Sequence, residues 1–279
     1  MLCRTLNVTR SGYYAYLAEG REHIRYILLK ETMLLAHIRR VYKESECTAG
    51  YRKVYFLLRG QGVPCSFGRV RQIMNKYGIK SVVRRKYKPQ TTSADPGAKA
   101  FDNLLGQNFK TSAKNEIWVA DITYIRVGFR WTYLAVVIDL FNREPVGWAY
   151  ALHPNAKLAC DALRMAIRRE RPSKGLIHHS DRGCQYTSND YRRLLDEHEM
   201  VGSMSRKGNP YDNAVAESFF KALKTEWTNR LRYNTMREAY QSLYRYIEVF
   251  FKYRRLHEAL GYLTPKAFET MQKKQVLAV

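Results

Sequence analysis

Three acidic residues stand where acidic residues are uncommon. Asp121 lies in the middle of a β-branched and aromatic run, residues 117–125, where an aspartate is disfavoured in a strand and costly to bury without a partner. Asp181 follows a short apolar run, and Glu217 lies one turn into a helical pattern. Three carboxylates without a His or Cys cluster form a hard oxygen-ligand set suited to Mg²⁺ or Mn²⁺. Two such ions can support in-line displacement at a phosphate.

Two of these acids also have simpler structural explanations. Asp181 begins an Asp-Arg-Gly sequence that suits a turn. Glu217 lies in a first helical turn, where the helix dipole favours an acid. Asp139, at the end of another strand pattern, is interpreted as a turn residue. The residues alone therefore leave a structural role open for Asp181 and Glu217, whereas the mid-strand Asp121 is harder to explain without a function.

The charge of the whole chain indicates a polyanionic partner. The 279 residues include 48 Lys and Arg against 25 Asp and Glu, a formal net charge of +23. Hydrophobic residues make up 46% and aromatic residues 13%, which excludes a disordered basic tail. A folded basic chain of this kind is typical of nucleic-acid binding, with an anionic membrane surface as the weaker alternative.

Cysteine spacing and the terminal sequence indicate an intracellular protein. The five cysteines are an odd number, widely spaced, with no C-x-x-C pair, which argues against a disulfide framework and a zinc finger. There is no run of about 18 apolar residues and no apolar N-terminal signal. We expect a cytoplasmic, nucleoid-associated prokaryotic protein.

The order of predicted elements favours an α/β fold for the second half of the chain. Three strand patterns joined by hairpin-length connections are followed by helix, strand, helix, strand and helix. This order predicts a mixed five-stranded sheet with flanking helices, as in ribonuclease-H-like domains. We assign this core to residues 113–232, with a linker at 91–112 and a C-terminal helical extension at 233–279. The last predicted helix begins at a capping box near Thr235.

The first half of the chain is predicted to be helical. We assign residues 1–45 to an N-terminal helical segment and 46–90 to an all-α helix-turn-helix domain, in which Ser66 caps the second helix. Arg69, Arg71 and Lys76 lie mostly off the apolar stripe of that helix and are candidate DNA contacts. A small helical hairpin with solvated charges remains the alternative.

The spacing of the acids adds a specific resemblance, because 35 residues separate Asp181 from Glu217. The chain resembles the OrfB-type transposases of bacterial insertion sequences, within the retroviral-integrase-like superfamily of DDE transposases. The matching blocks are residues 118–125 (WVADITYI), 179–183 (HSDRG), 208–214 (GNPYDNA), 216–220 (AESFF) and 255–257 (RLH). The helix-turn-helix at 50–87 matches as well.

The resemblance implies roles for individual residues. Asp121, Asp181 and Glu217 would be the catalytic, metal-binding triad, holding two Mg²⁺ or Mn²⁺ ions. Lys224, seven residues after Glu217, would contact the ends of the element, and Lys221 lies on the same helix face. His179, two residues before Asp181 and so expected to share its face of a strand, is assigned to a DNA phosphate contact or to steering Asp181. Arg255 and His257 are assigned to DNA contacts or to the rim of the active site. The chain departs from the family pattern at Cys184, Phe251 and Lys252, and the last two leave open whether this copy is fully active.

The implied function is metal-dependent cleavage of a DNA 3′ end followed by strand transfer. The implied partners are DNA, further copies of the chain on paired element ends, and a partner or fused segment from an upstream reading frame. Two alternatives stay open at this point. One is a non-catalytic DNA-binding protein derived from such an element, and the other is a ribonuclease-H-like nuclease acting on hybrids or junctions.

Overall fold

The chain folds into two units, and the described residues of the first unit form helices. The structure, a computed structural model, describes residues 8–83, 101–206 and 209–277. The chain divides into two units, Met1–Val82 and Val83–Val279, each described by itself below. No helix among the described residues is long and apolar enough to cross a bilayer.

Among the described residues of the N-terminal unit, three helices surround a small apolar core. These are α1 (Arg10–Glu44), α2 (Tyr51–Gly60) and α3 (Phe67–Lys76). The Ser66 hydroxyl accepts a hydrogen bond from Arg69 N, which confirms the predicted cap of α3. The core consists of one side of the C-terminal half of α1 and the facing sides of α2 and α3, with buried Leu35, Ile38, Val41, Val54, Leu58, Val70, Ile73 and Met74. The apolar stripes seen in the sequence are therefore the packed faces.

A mixed five-stranded sheet forms the centre of the second unit, as predicted. Its strands are β1 (Ile117–Val127), β2 (Arg130–Asp139), β3 (Pro145–Ala151), β4 (Ile177–Ser180) and β5 (Val201–Met204). Their order in the sheet is β3-β2-β1-β4-β5. The first three strands are antiparallel neighbours, whereas β4 runs parallel to both β1 and β5. This is the ribonuclease-H-like arrangement that the element order indicated.

Helices cover both faces of this sheet. One face packs against α4 (Ala156–Glu170) and α6 (Asn189–Glu197), while the short α5 (Cys184–Thr187) follows β4. Gly147 of β3 allows α4 to approach closely, because a Cβ there would lie 2.3 Å from the Ala162 carbonyl oxygen. The other face packs against α7 (Ala214–Glu226) and the C-terminal extension. Both faces are therefore buried, which suits the apolar composition of the central strands.

The C-terminal extension is part of the same hydrophobic core. Helix α8 (Met236–Tyr244) continues as a π-helical turn at Arg245–Phe251, and Thr235 caps it as predicted. A further helix, α9 (Pro265–Leu277), was not predicted from the sequence. Single 3-10 turns lie at Pro210–Asn213, Thr228–Arg230 and Glu258–Leu260. Buried Leu243, Ile247 and Phe250 join the core beneath the sheet.

The segment assigned as a linker is partly packed. Residues 91–100 lie outside the described residues, but the rest of the predicted linker follows the core. The Phe101 ring sits where a Cβ on Gly202 would be, and Leu105 is buried in the core cluster. Asn103 Nδ2 donates a 2.8 Å hydrogen bond to buried Asp212. We therefore propose that the catalytic core includes residues packed before position 113.

Candidate active site

Asp121 lies on β1, in the central strand of the sheet. Its Oδ1 accepts a 2.7 Å hydrogen bond from the backbone N–H of Ile122. Burial raises the pKa of Asp121 well above its usual value, and the negative charges of Asp181 and Glu217 raise it further, against the opposing influence of that hydrogen bond and of Lys224. The predicted acids are therefore close enough to act on one another electrostatically.

The parallel pairing of β1 and β4 explains how Asp181 comes near Asp121. The register pairs Val119 with His179, so each aspartate lies two residues further along its own strand direction. Neighbouring strands lie about 4.8 Å apart, which brings the two positions side by side where β4 ends. Asp181 Oδ1 accepts a 3.0 Å hydrogen bond from Gly183 N. A Cβ at Gly183 would meet Asp181 Oδ1 at 3.0 Å and Gln185 Oε1 at 2.7 Å, so this turn has no room for a larger residue.

Helix α7 supplies Glu217 from its first turn. Burial raises the pKa of Glu217. The buried Asn213, at the start of this helix, donates a 3.1 Å hydrogen bond from Nδ2 to the carbonyl oxygen of Ala120, the residue before Asp121. Asn213 lies inside a matching block, but its residue type gave no signal of this role in the sequence. This bond ties the beginning of α7 to the point of β1 that carries the aspartate.

Among the described residues, the acids do not form a ready-made metal-binding group. Within residues 8–83, 101–206 and 209–277, no three His, Cys, Asp or Glu side chains form a group that could hold an ion as they stand. Instead, the raised pKa values of Asp121 and Glu217 reflect the partial burial of both carboxylates, with mutual repulsion added at Asp121. The donor set consists of hard carboxylate oxygens, which fits Mg²⁺ or Mn²⁺, and a divalent cation would relieve that repulsion.

The two lysines of α7 have different environments. Lys224 is buried, and its Nζ lies 3.7 Å from the centroid of the Tyr124 ring. Burial lowers the pKa of Lys224 to about 8, although the charge of Asp121 opposes this shift. Lys221 is exposed. Lys224 is therefore a component of the acidic site itself, while Lys221 lies on the surface.

The predicted DNA contact of His179 is corrected by the structure. His179 has no exposed surface, and its Nδ1 and Nε2 lie 2.9 and 3.1 Å from the hydroxyls of Ser203 and Ser205. Burial lowers the pKa of His179 to about 4, with Asp212 opposing. Both ring nitrogens are engaged inside the protein, so we assign this side chain to the support of β4 just before Asp181.

Arg255 and His257 also lie inside the protein. Arg255 Nε and Nη2 donate bonds of 2.7 and 2.8 Å to the two carboxylate oxygens of buried Glu226. Burial opposes the positive charge of Arg255, but Glu226 outweighs it and raises its pKa. His257 packs against the Phe251 ring with centroids 4.6 Å apart. The predicted DNA contacts of Arg255 and His257 are therefore replaced by a role in anchoring the extension to the end of α7.

The departures from the family pattern fit their surroundings. Lys252 is buried and bridges Glu144 at 3.1 Å and Glu248 at 2.9 Å, and Glu248 also accepts a bond from Trp148. Phe251 packs against neighbouring aromatic rings, including Phe219, at 4.9 Å. Cys184 is exposed at the start of α5. None of the three disturbs the arrangement of the acids.

The predicted DNA contacts of the N-terminal unit differ in whether their charges are paired with an acid inside the protein. Arg69 and Lys76 both pair with Glu31 of α1, whose side chain is buried, and Tyr77 donates to the same carboxylate. Arg71 is exposed, with its guanidinium carbon 5.6 Å from the centroid of the Tyr51 ring. Arg71 therefore presents its charge outward, whereas Arg69 and Lys76 also hold α3 against α1.

One further polar group near the acids was missed. Tyr186 of α5 is fully buried, and its hydroxyl has no hydrogen-bond partner among the described residues. Burial raises its pKa well above 10, and the charges of Tyr191, Asp121 and Asp181 add to this effect. Nothing in the sequence environment of Tyr186 distinguishes a hydroxyl near the acids from an ordinary core tyrosine.

Comparisons with known proteins agree with this architecture. Two family models described as integrase core domain match residues 111–210 and 199–265, and one described as HTH-like domain matches residues 29–87. The HTH-like match begins within α1, whose C-terminal half packs against α2 and α3. The helix-turn-helix and the core predicted from the sequence are thus both represented.

Among solved structures, the likeness is distant. The HTLV-2 integrase catalytic core domain in complex with magnesium (trimeric form) has a TM-score of 0.43 and 15% identity, covering 55% of this chain and 95% of that chain. A simian T-cell lymphotropic virus intasome chain has a TM-score of 0.38 and 19% identity, covering 66% of this chain and 58% of that one.

The family of this chain is shown by relatives of similar length. Transposase InsF for insertion sequence IS3A of Escherichia coli (strain K12) is 36% identical, covering 96% of this chain and 92% of its own. An insertion element IS600 31 kDa protein of Shigella sonnei is also 36% identical, covering 96% and 97%. The transposase for IS904 of Lactococcus lactis is 37% identical, covering 86% and 95%. The chain therefore belongs to the IS3 family of insertion-sequence transposases, with an HTH-like domain and an integrase core domain.

Proposed function

We propose that this transposase cleaves a DNA 3′ end and transfers it to a target strand, with Asp121, Asp181 and Glu217 as its catalytic, metal-binding triad. The observation that carries the proposal is the convergence of the three acids: the register of β1 and β4 sets Asp121 beside Asp181, and Asn213 ties the start of the Glu217 helix to β1. In this protein of net charge +23, three acids from separate elements lie close enough to repel one another, which destabilises the fold. Such an arrangement is common at functional sites.

The three carboxylates would hold two Mg²⁺ or Mn²⁺ ions. Bound there, such ions activate an attacking oxygen and stabilise the leaving oxygen of an in-line displacement at phosphorus. The chain itself keeps the acids in place. Gly183 N holds Asp181, the Ile122 N–H holds Asp121, and Asn213 fixes the start of the Glu217 helix to β1.

The reaction proceeds in two displacements that balance without an external energy source. First, a water oxygen attacks the phosphorus at the element end, the bond from phosphorus to the 3′ oxygen breaks, and a free 3′-OH remains. Second, that 3′ oxygen attacks a phosphorus of the target, and a target 3′ oxygen leaves as a new 3′-OH. Lys224, held beside Asp121, is placed to attract the phosphate oxygens of the DNA end.

DNA binding would be shared between the two units. In the N-terminal unit, exposed Arg71 is the leading contact, with Arg69 and Lys76 contributing through the parts of their side chains that remain exposed. In the core, Lys221 and Lys224 lie along α7 beside Glu217. We further propose that copies of the chain assemble on paired element ends in the bacterial cytoplasm and that a segment from an upstream reading frame contributes end recognition.

The test is joining of labelled DNA. The full chain is incubated with an end-labelled duplex carrying the element terminus and an unlabelled target, with Mg²⁺, with Mn²⁺ or with EDTA. We expect nicking at the 3′ end and a longer joined product with either metal, and neither product with EDTA. Cleavage of an RNA–DNA hybrid without joining would favour a nuclease, while binding without nicking or joining would favour a non-catalytic DNA-binding protein.

A further inference from the structure

The hairpin that joins β1 to β2 carries large aromatic side chains into solvent. The Phe129 side chain is 98% exposed at the tip, Trp131 is 51% exposed and Tyr124 is 36% exposed. Trp131 and Tyr124 form an edge-to-face pair with centroids 4.9 Å apart. Exposed aromatic groups of this kind have no role in the core and mark a contact surface.

The charges of the hairpin point to a polyanion. Residues 122–138 include two arginines, Arg126 and Arg130, and no acidic residue. Both arginines are exposed, and the Arg126 guanidinium carbon lies 6.0 Å from the centroid of the Trp131 ring. Arginines interleaved with aromatic rings form the combination that neutralises phosphates and stacks on bases in single-stranded nucleic-acid sites.

The hairpin is also rigid. Strand pairing continues to Val127 and Arg130, so only two residues form the turn, and Gly128 adopts a φ of +55° there. Gly128 N donates a 2.7 Å bond to the Tyr233 carbonyl oxygen, and Arg126 Nε donates to the Gly128 carbonyl oxygen. The aromatic rings are therefore presented on a fixed support, which reduces the entropy lost on binding.

A continuous set of contacts leads from the hairpin to the acids. The Trp131 ring contacts Tyr124, the Tyr124 ring holds Lys224 Nζ at 3.7 Å, and the charge of Lys224 acts on Asp121. Arg126 lies five positions after Asp121 along β1, which at about 3.3 Å per residue is roughly 17 Å. At about 3.4 Å per nucleotide of one strand, this is the reach of about five nucleotides.

We infer that the β1–β2 hairpin, residues 124–131, binds the unpaired terminal nucleotides of a DNA end whose scissile phosphate lies at the acidic site. Bases stack on Trp131 and Phe129, while Arg126 and Arg130 neutralise the phosphates. The bases of an intact duplex are already stacked on both faces, so these rings select nucleotides that have opened. This inference rests on the proposed DNA-joining function and specifies the state of its substrate.

Tryptophan fluorescence tests the inference directly. The chain has four tryptophans, and Trp118, Trp148 and Trp227 are buried, so Trp131 is the exposed one. The full chain, in EDTA to prevent reaction, is titrated with a blunt duplex and with the same duplex carrying about five mismatched terminal pairs. We expect the open-ended duplex to quench the emission, the blunt duplex to do so weakly, and Trp131→Phe to abolish the quenching while retaining most of the binding.

Binding measurements on variants complete the test. Trp131→Ala and Phe129→Ala should each weaken binding of the open-ended duplex about tenfold and leave blunt-duplex binding nearly unchanged. Tyr244→Ala, which removes an exposed aromatic residue of α8, is the matched control and should have no effect. These binding measurements require no joining, so failure of the carboxylate mechanism would be seen separately.

Two outcomes would overturn the inference. One is an equal affinity of the unchanged chain and Trp131→Ala for open-ended DNA. The other is a fall in molecular mass by light scattering in the Trp131→Ala and Phe129→Ala variants without a change in open-end preference, which would show that the hairpin contacts a second copy of the chain.

Discussion

Acidification should destabilise the C-terminal unit through His179. Burial lowers the pKa of this imidazole from 6.5 to about 4 in the folded protein. In the unfolded chain the ring takes up a proton near pH 6.5 while the folded protein does not, so the stabilising contribution is fully present above pH 6.5 and is lost as the pH falls toward 4. Between about pH 7.5 and about pH 5 the loss is about 2 kcal/mol.

The substitution that isolates this contribution is His179→Gln. It removes the titrating group and disturbs the hydrogen bonds to Ser203 and Ser205, which costs about 1–3 kcal/mol at every pH. Burial also lowers the pKa of neighbouring His178, to about 3, and that residue contributes a loss of the same sign in both proteins. The informative quantity is therefore the difference between the two pH dependences.

The assay is urea unfolding followed by tryptophan fluorescence at several pH values. All four tryptophans lie within residues 118–227, so the signal reports this unit. We expect the free energy of unfolding of the unchanged chain to fall by about 2 kcal/mol more than that of His179→Gln, while the exposed His198→Gln control follows the unchanged chain. Parallel pH dependences for His179→Gln and the unchanged chain would refute the burial of this ring.

Two further sets of substitutions test the core in the same way. Lys224→Met should lower strand joining about 10- to 100-fold because it removes a cation held beside the acids. Lys221→Met, at the surface, should weaken DNA binding only at low salt. Equal effects of the two substitutions on joining would contradict this difference. Arg255→Met should cost about 3–5 kcal/mol of unfolding free energy because the buried Glu226 loses the cation that neutralises it and keeps the Tyr246 hydroxyl as a hydrogen-bond donor. Lys174→Met, from an exposed ion pair, should cost about 1 kcal/mol or less, and a similar cost for both would show that Glu226 is solvated.

The fold could be predicted largely because its signals are local. Strand patterns, apolar helix stripes and the caps at Ser66 and Thr235 all appear in the structure where the sequence indicated them. Helix α9 was missed, although Thr264 and Pro265 are a cap and a first-turn proline, and Thr264 Oγ1 does accept a bond from Ala267 N. Its weak apolar stripe gave no matching periodic signal.

The environments of single side chains could not be predicted in this way. His179 was expected to share a face with Asp181 because two residues separate them, but β4 ends at Ser180 and strand alternation stops there. Arg255 was assigned to DNA or to the rim of the active site because it lies in a family block, and only the long-range contact with Glu226 shows that it lies inside the protein. Both depend on pairing between distant segments, which the sequence pattern does not specify.

Strand joining by three carboxylate variants tests most directly whether these acids perform the DNA-joining chemistry. The variants are Asp121→Asn, Asp181→Asn and Glu217→Gln, each in the full chain with Mg²⁺. We expect each variant to bind duplex DNA within a few-fold of the unchanged chain and to lose joining by on the order of a thousandfold or more. Asp190→Asn, which alters an exposed acid of α6, should join normally. Joining at an undiminished rate by any one of the three variants would contradict the account.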